Sequence, residues 1–138
     1  MAITRDEITK GKEVEEQYED NLNALLIVLN RFAEEIDTYY EEHIPLIVNS
    51  GVRTKKDQIR IYAEKGITDI NKIPMGSAHI SCQAVDLRDR NKKIRNYIKN
   101  NLNILDKLDI YVEDFDATPT RVHIQTRKTS SGKRIFKP

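Results

Sequence analysis

Between Val14 and Tyr40 the residues Val14, Tyr18, Leu22, Leu25, Leu26, Leu29, Phe32, Ala33, Ile36 and Tyr40 recur at intervals of three and four. Only a helix gathers such a set onto one side. The stripe is wider than a coiled-coil seam and lacks sustained heptads with flanking charge pairs, so it faces the core of its own chain. One long helix cannot cover its own apolar face, so the rest of the chain must supply the opposing layer.

The segments that follow read as that layer. Ile44 to Asn49 is a short strand with Pro45 at its start or on an edge, and Ser50-Gly51 is a turn. Thr54 with Asp57 forms a capping box opening a helix to about Lys65, which Gly66 stops. Residues 66–78 form a loop and Gln83 to Leu87 a strand. Asn91 to Leu105 is one helix with Ile94, Tyr97, Ile98 and Leu102 inward. Ile110 to Glu113 and Arg121 to Thr126 form a hairpin. Residues 1–13 are a polar lead-in and 128–138 a basic tail in which Ile135 and Phe136 pack back on the sheet. This order predicts one α+β domain over 1–138, a small mostly antiparallel sheet with helices packed on it.

A chain of 138 residues suits one core. With 23 Lys and Arg against 22 Asp and Glu, the net charge of +1 gives no general reason to expect nucleic acid as a partner. The longest apolar run, Ala24 to Leu29, is too short for membrane insertion. Cys82 is the sole cysteine, which excludes an intrachain disulfide. The first residues, Met1 to Ile8, have no apolar h-region, so we expect synthesis in the cytoplasm without a signal peptide. The sequence sets no oligomeric state.

The chemistry concentrates in three histidines and their neighbours. Along the strand 83–87, Ala84 and Asp86 share one face while Val85 and Leu87 share the other, so the Asp86 carboxylate stands beside a small residue. His79 lies in the preceding turn, free to fold over that face. On 121–126, His123 and Gln125 alternate with Val122 and Ile124, which displays His123 on the polar face. Two imidazoles and a carboxylate suit Zn2+; solvated or hydrogen-bonded side chains are the plainer alternative. His43 closes the long helix and is expected to cap its negative end.

Ser77-Ala-His79-Ile-Ser-Cys-Gln-Ala84-Val-Asp86 resembles the zinc signature Ser-x-His-x-x-Gly-x-Ala-x-Asp of the VanY-type D-Ala-D-Ala carboxypeptidases and the related phage L-alanyl-D-glutamate endolysins. Val48-Asn-Ser-Gly-Val-Arg53 is similar to their Ser-Gly-x-Arg strand end, and Val122-His123 to the strand giving their last ligand. The three blocks come in the family's order over about residues 25–127. The resemblance implies a Hedgehog/DD-peptidase-like fold and a zinc metallopeptidase cleaving peptidoglycan stem peptides. It implies His79, Asp86 and His123 as metal ligands, with Arg53 and Ser77 holding a substrate carboxylate. A phage-encoded protein acting at the cell wall after release or delivery is the context it suggests.

Two positions depart from that pattern. Cys82 replaces the family glycine, implying either an ordinary φ or a reshaped turn, and its spacing from His79 also suits a zinc ligand. Thr120 stands where many members carry the general base three residues before the last histidine. Glu113, expected on the His123 side of the hairpin, is the first substitute and Asp116 in the loop the second; both are otherwise solvated acids. A non-catalytic zinc-binding module of the same fold, binding wall peptides or a partner protein, is the alternative function.

Overall fold

The computed structural model describes residues 3–138. Its centre is α2, Glu19–Tyr40, whose Leu22, Leu25, Leu29, Phe32 and Ile36 are fully buried, as their spacing requires. The helix starts later than Val14, after a single 3₁₀ turn at Glu16–Tyr18. It ends with Glu41 in the left-handed region. His43 does not cap the terminal carbonyls. Its Nδ1 instead pairs with the Asp37 carboxylate at 3.0 Å, an acceptor already placed in the last turn.

Against α2 lies a five-stranded sheet in the order β1-β2-β4-β3-β5. Its strands are β1 Val48–Ser50, β2 Ala84–Arg88, β3 Tyr111–Glu113, β4 Arg121–Gln125 and β5 Ile135–Phe136. All pairings are antiparallel except β3 with β5, so the sheet is mixed. Val85, Leu87, Val112, Val122 and Ile124 join the α2 stripe in one core. At about 25 cal/mol per Å2 of apolar surface removed from water, the layer that covers α2 is what stabilises it.

Other expectations change as well. The lead-in 1–13 contains α1, Arg5–Thr9, opened by a reciprocal Thr4–Glu7 capping box and anchored by buried Ile3 and Ile8. One turn is too short to show a period. The strand at 44–49 shrinks to β1, because the ladder with β2 begins only at Val48, with a register shift between Val48 and Ser50. The segment 66–78 holds a 3₁₀ turn at Ile70–Lys72 capped by the Asp69 side chain. The single helix 91–105 is two, α4 Lys93–Asn100 and α5 Asn103–Lys107, broken where Asn101 leaves helical geometry; Leu102 is 54% exposed rather than inward. The basic tail supplies β5, with Val112 N–H donating to the Arg134 carbonyl and Asp114 N–H to that of Phe136.

The helix α3, Lys55–Glu64, opens with the expected Thr54–Asp57 box. Just before it, Gly51 passes against α1 so closely that a Cβ there would meet the Ile8 carbonyl oxygen at 2.2 Å. That contact explains the glycine of the Ser50-Gly51 pair: it is a close approach, not a turn. A second fixture lies behind the sheet. Buried Arg95 donates through Nε to Asp89 at 2.7 Å and through Nη1 and Nη2 to the carbonyls of Phe115, Thr118 and Arg121. Asp89 also accepts from the backbone N–H groups of Ile94 and Arg95, so the ion pair is well satisfied. It ties the β3–β4 connection to the start of α4.

Candidate metal centre

The β2–β4 ladder sets the site. Asp86 and His123 are direct cross-strand partners, flanked by the apolar pairs Val85–Ile124 and Leu87–Val122. Because side chains alternate, those apolar pairs enter the core and Asp86 and His123 share the other face. The turn before β2 carries His79 back over that face. All three residues are buried, and one ligand atom from each lies within 4.8 Å of the others. The buried His79–Asp86–His123 group can hold a metal ion.

Hydrogen bonds at the far side of each ring decide which nitrogen is free. His79 Nδ1 lies 2.8 Å from the Gly51 carbonyl, which only accepts, so Nδ1 carries the proton and Nε2 presents a lone pair. Nε2 is 3.4 Å from Asp86 Oδ2. For His123 the fixing partner is Gln125. Its amide nitrogen donates to the Arg127 carbonyl at 2.8 Å, which turns Oε1 toward His123 Nε2, also at 2.8 Å. His123 therefore donates from Nε2 and aims the Nδ1 lone pair at Asp86 Oδ1, 2.9 Å away. Three acceptors converge with no donor among them. Such an arrangement calls for a cation at its centre, a proton or a metal ion.

Bonds of about 2.0–2.1 Å to a tetrahedral ion separate its donors by roughly 3.3 Å; here His79 Nε2 lies 3.4 Å from Asp86 Oδ2, His123 Nδ1 2.9 Å from the other carboxylate oxygen, and one ligand atom from each residue lies within 4.8 Å of the others. Without the metal the proton takes its place. Burial alone would raise the Asp86 pKa, but hydrogen bonds from His123 and His79 and their charge hold it well below the usual carboxylate range. Burial alone would lower His123, yet its hydrogen bonds to Asp86 and Gln125 and the Asp86 charge raise it above the ordinary value.

The group lies in an open cleft of about 320 Å3. Arg53 and Ser77 line it, as does Glu113, the one carboxylate besides Asp86 among the lining residues. Asp116 does not. It is exposed in a 3₁₀ turn at Phe115–Ala117, held by its own backbone N–H to Asp114. Thr120 is exposed as well. Cys82 is no ligand: it is buried in the apolar core, outside the metal-binding group, and burial pushes its thiol up to about 11. Its φ of 60° keeps the left-handed conformation a glycine would take.

No family model, curated protein or solved structure matches this chain. What can be read of its chemistry comes from its own residues. Four residues to which the sequence assigned no role in the site, Gln125, Arg121, Arg127 and Phe136, also line the cleft. Arg121 Nε is 3.8 Å from Asp86 Oδ2, and the Phe136 ring stands edge-on to His123 at 6.0 Å. The alternation that exposed His123 also puts Arg121 and Gln125 on its face, so that signal was present. Phe136 reaches the cleft only because β5 pairs with β3. Among the described residues no helix is long and apolar enough to cross a membrane.

Proposed function

We propose that this chain is a zinc metallopeptidase with a Hedgehog/DD-peptidase-like fold, hydrolysing a peptide bond in the stem peptides of bacterial peptidoglycan. The observation that carries the reading is the convergence of His79 Nε2, the Asp86 carboxylate and His123 Nδ1 on one point of an open cleft. Two nitrogens and one carboxylate leave coordination positions for water and substrate, the pattern of a catalytic rather than a closed structural site.

A divalent zinc ion held there supplies a water of lowered pKa and a Lewis acid for the scissile carbonyl. The chain supplies the rest. Arg53 offers a guanidinium fork matched to a substrate carboxylate, and Ser77 lines the same cleft. Glu113, half-buried at the cleft wall, is the carboxylate that would take a proton from the attacking water and return it to the leaving amine. Gly51 and Gln125 keep both imidazoles in the tautomers that leave Nε2 of His79 and Nδ1 of His123 free.

A second reading, a metal-binding module without catalysis, is favoured by Thr120, an exposed residue with no acid at the resembling family's position. The two separate in one experiment. Protein purified without chelators is assayed for metal and for release of peptides or D-alanine from purified peptidoglycan. Zinc at one ion per chain, hydrolysis by the wild type, and loss of hydrolysis with zinc retained in Glu113→Gln support the peptidase. Zinc without hydrolysis favours the module. Stoichiometric iron, which the same donor set also accepts, overturns the zinc assignment.

A further inference from the structure

A second cleft of about 430 Å3 adjoins the first, and Gln125, Arg127 and Phe136 belong to the walls of both. Beyond them it is lined by Lys128, Thr129 and Ser130, at the start of the chain's tail. Arg127 Nη1 donates to the Gly76 carbonyl at 2.6 Å, which ties the end of β4 to the loop just before Ser77. That bond fixes the guanidinium at the junction of the two clefts and leaves its other donors for a ligand. The Phe136 ring, set edge-on against His123 at 6.0 Å, gives the junction an apolar wall. Thr129 Oγ1 donates to the Lys133 carbonyl and so braces the turn that follows.

We propose that the two clefts are one continuous groove, in which the tail cleft binds the far end of a peptide ligand and Arg127 with Lys128 grips a carboxylate there. The inference rests on the peptidase reading above and names its substrate class: a peptide longer than two residues that bears a second carboxylate away from the metal. A guanidinium fork pairs with a carboxylate through two parallel hydrogen bonds, which suits recognition at a half-buried junction better than at open surface. Phe136 packs against the peptide between its two polar ends.

The test uses the zinc-loaded full chain in a Glu113→Gln background, so that the probes are not hydrolysed, and three probes: D-alanyl-D-alanine, the stem pentapeptide L-alanyl-γ-D-glutamyl-L-lysyl-D-alanyl-D-alanine, and the same pentapeptide with its glutamyl carboxylate amidated. Amide chemical shifts and affinities are recorded for that background alone and with Arg127→Met or Phe136→Ala added. The dipeptide should move resonances of the metal cleft and leave those of 128–130 unmoved. The acidic pentapeptide should also move those of 128–130, and bind roughly tenfold more tightly than its amidated form, as one charged hydrogen bond would give. Arg127→Met should abolish that tenfold difference while zinc content is retained. Pentapeptide binding with silent 128–130 amides, or equal affinity for the acidic and amidated forms, overturns the groove and leaves the peptidase reading standing. If no probe moves any resonance at the metal cleft, both fall.

Discussion

Asp86 Oδ1 and His123 Nδ1 stand 2.9 Å apart as cross-strand partners, with the proton of His123 held on the opposite nitrogen by Gln125. A carboxylate oxygen and an imidazole lone pair repel at that distance unless a cation lies between them. The electrostatics of the cleft follow from this one relationship, and so do the first two expectations.

Gln125 should matter to metal binding without touching the metal. Replacing it by Leu removes the acceptor that fixes the His123 tautomer, and losses of this kind weaken affinity by about 10- to 100-fold. Gln125→Glu, which keeps an acceptor at that place, should lose much less. Competition with a chromophoric chelator measures both. Equal affinities in wild type and Gln125→Leu would show that the tautomer is set by something else.

Proton and metal compete for His123 Nδ1, so they act in opposite directions with pH. A histidine raised on folding contributes stability below its unfolded pKa of about 6.5, and that contribution is lost as pH climbs through the folded value. Asp86, held low, contributes above the ordinary carboxylate range and loses it as pH falls toward its depressed value. The rise in melting temperature on adding Zn2+ should therefore be larger near pH 8 than near pH 6. Ion at 100 times its Kd adds about 2.7 kcal/mol. Scanning calorimetry with zinc or with a chelator tests this, and His79→Ala and His123→Ala should both abolish the zinc-dependent shift.

Cys82 holds a left-handed φ with a Cβ, which costs an L-residue about 1–2 kcal/mol. Cys82→Gly should thus be more stable than Cys82→Ala by about 1 kcal/mol, although it removes more buried volume. Chemical denaturation of both variants decides it. The native thiol, raised to about 11 by burial, should resist iodoacetamide until the chain unfolds.

The Arg95–Asp89 pair holds up the connection between β3 and β4. Arg95→Met leaves a buried carboxylate short of its partner and strips a donor from the carbonyls of Phe115, Thr118 and Arg121. A loss of about 3–5 kcal/mol is expected. Urea denaturation gives the number, and a change below about 1 kcal/mol would mean that water replaces the guanidinium without difficulty.

Much of this was decided locally, and the sequence determined it alone. The α2 stripe and the Thr54–Asp57 box follow from spacing along a helix. Alternation along β2 and β4 put Asp86 and His123 on the polar faces of their strands, because period-two geometry needs no knowledge of the partner strand. It also put Glu113 on the His123 side of the hairpin. What the sequence could not determine depends on contacts between residues far apart in the chain. The tail joins β3 as β5 and brings Phe136 to the cleft only through pairing across more than twenty residues. The lead-in is held as α1 by burial of Ile3 and Ile8 in the core and by the Val52 N–H donating to the Ile8 carbonyl, contacts with residues distant in the chain. Which imidazole nitrogen is free was settled by a backbone carbonyl and a glutamine amide, whose positions exist only once the sheet has formed. Local periodicity is written in neighbouring residues; register, tautomer and cleft belong to the assembled sheet.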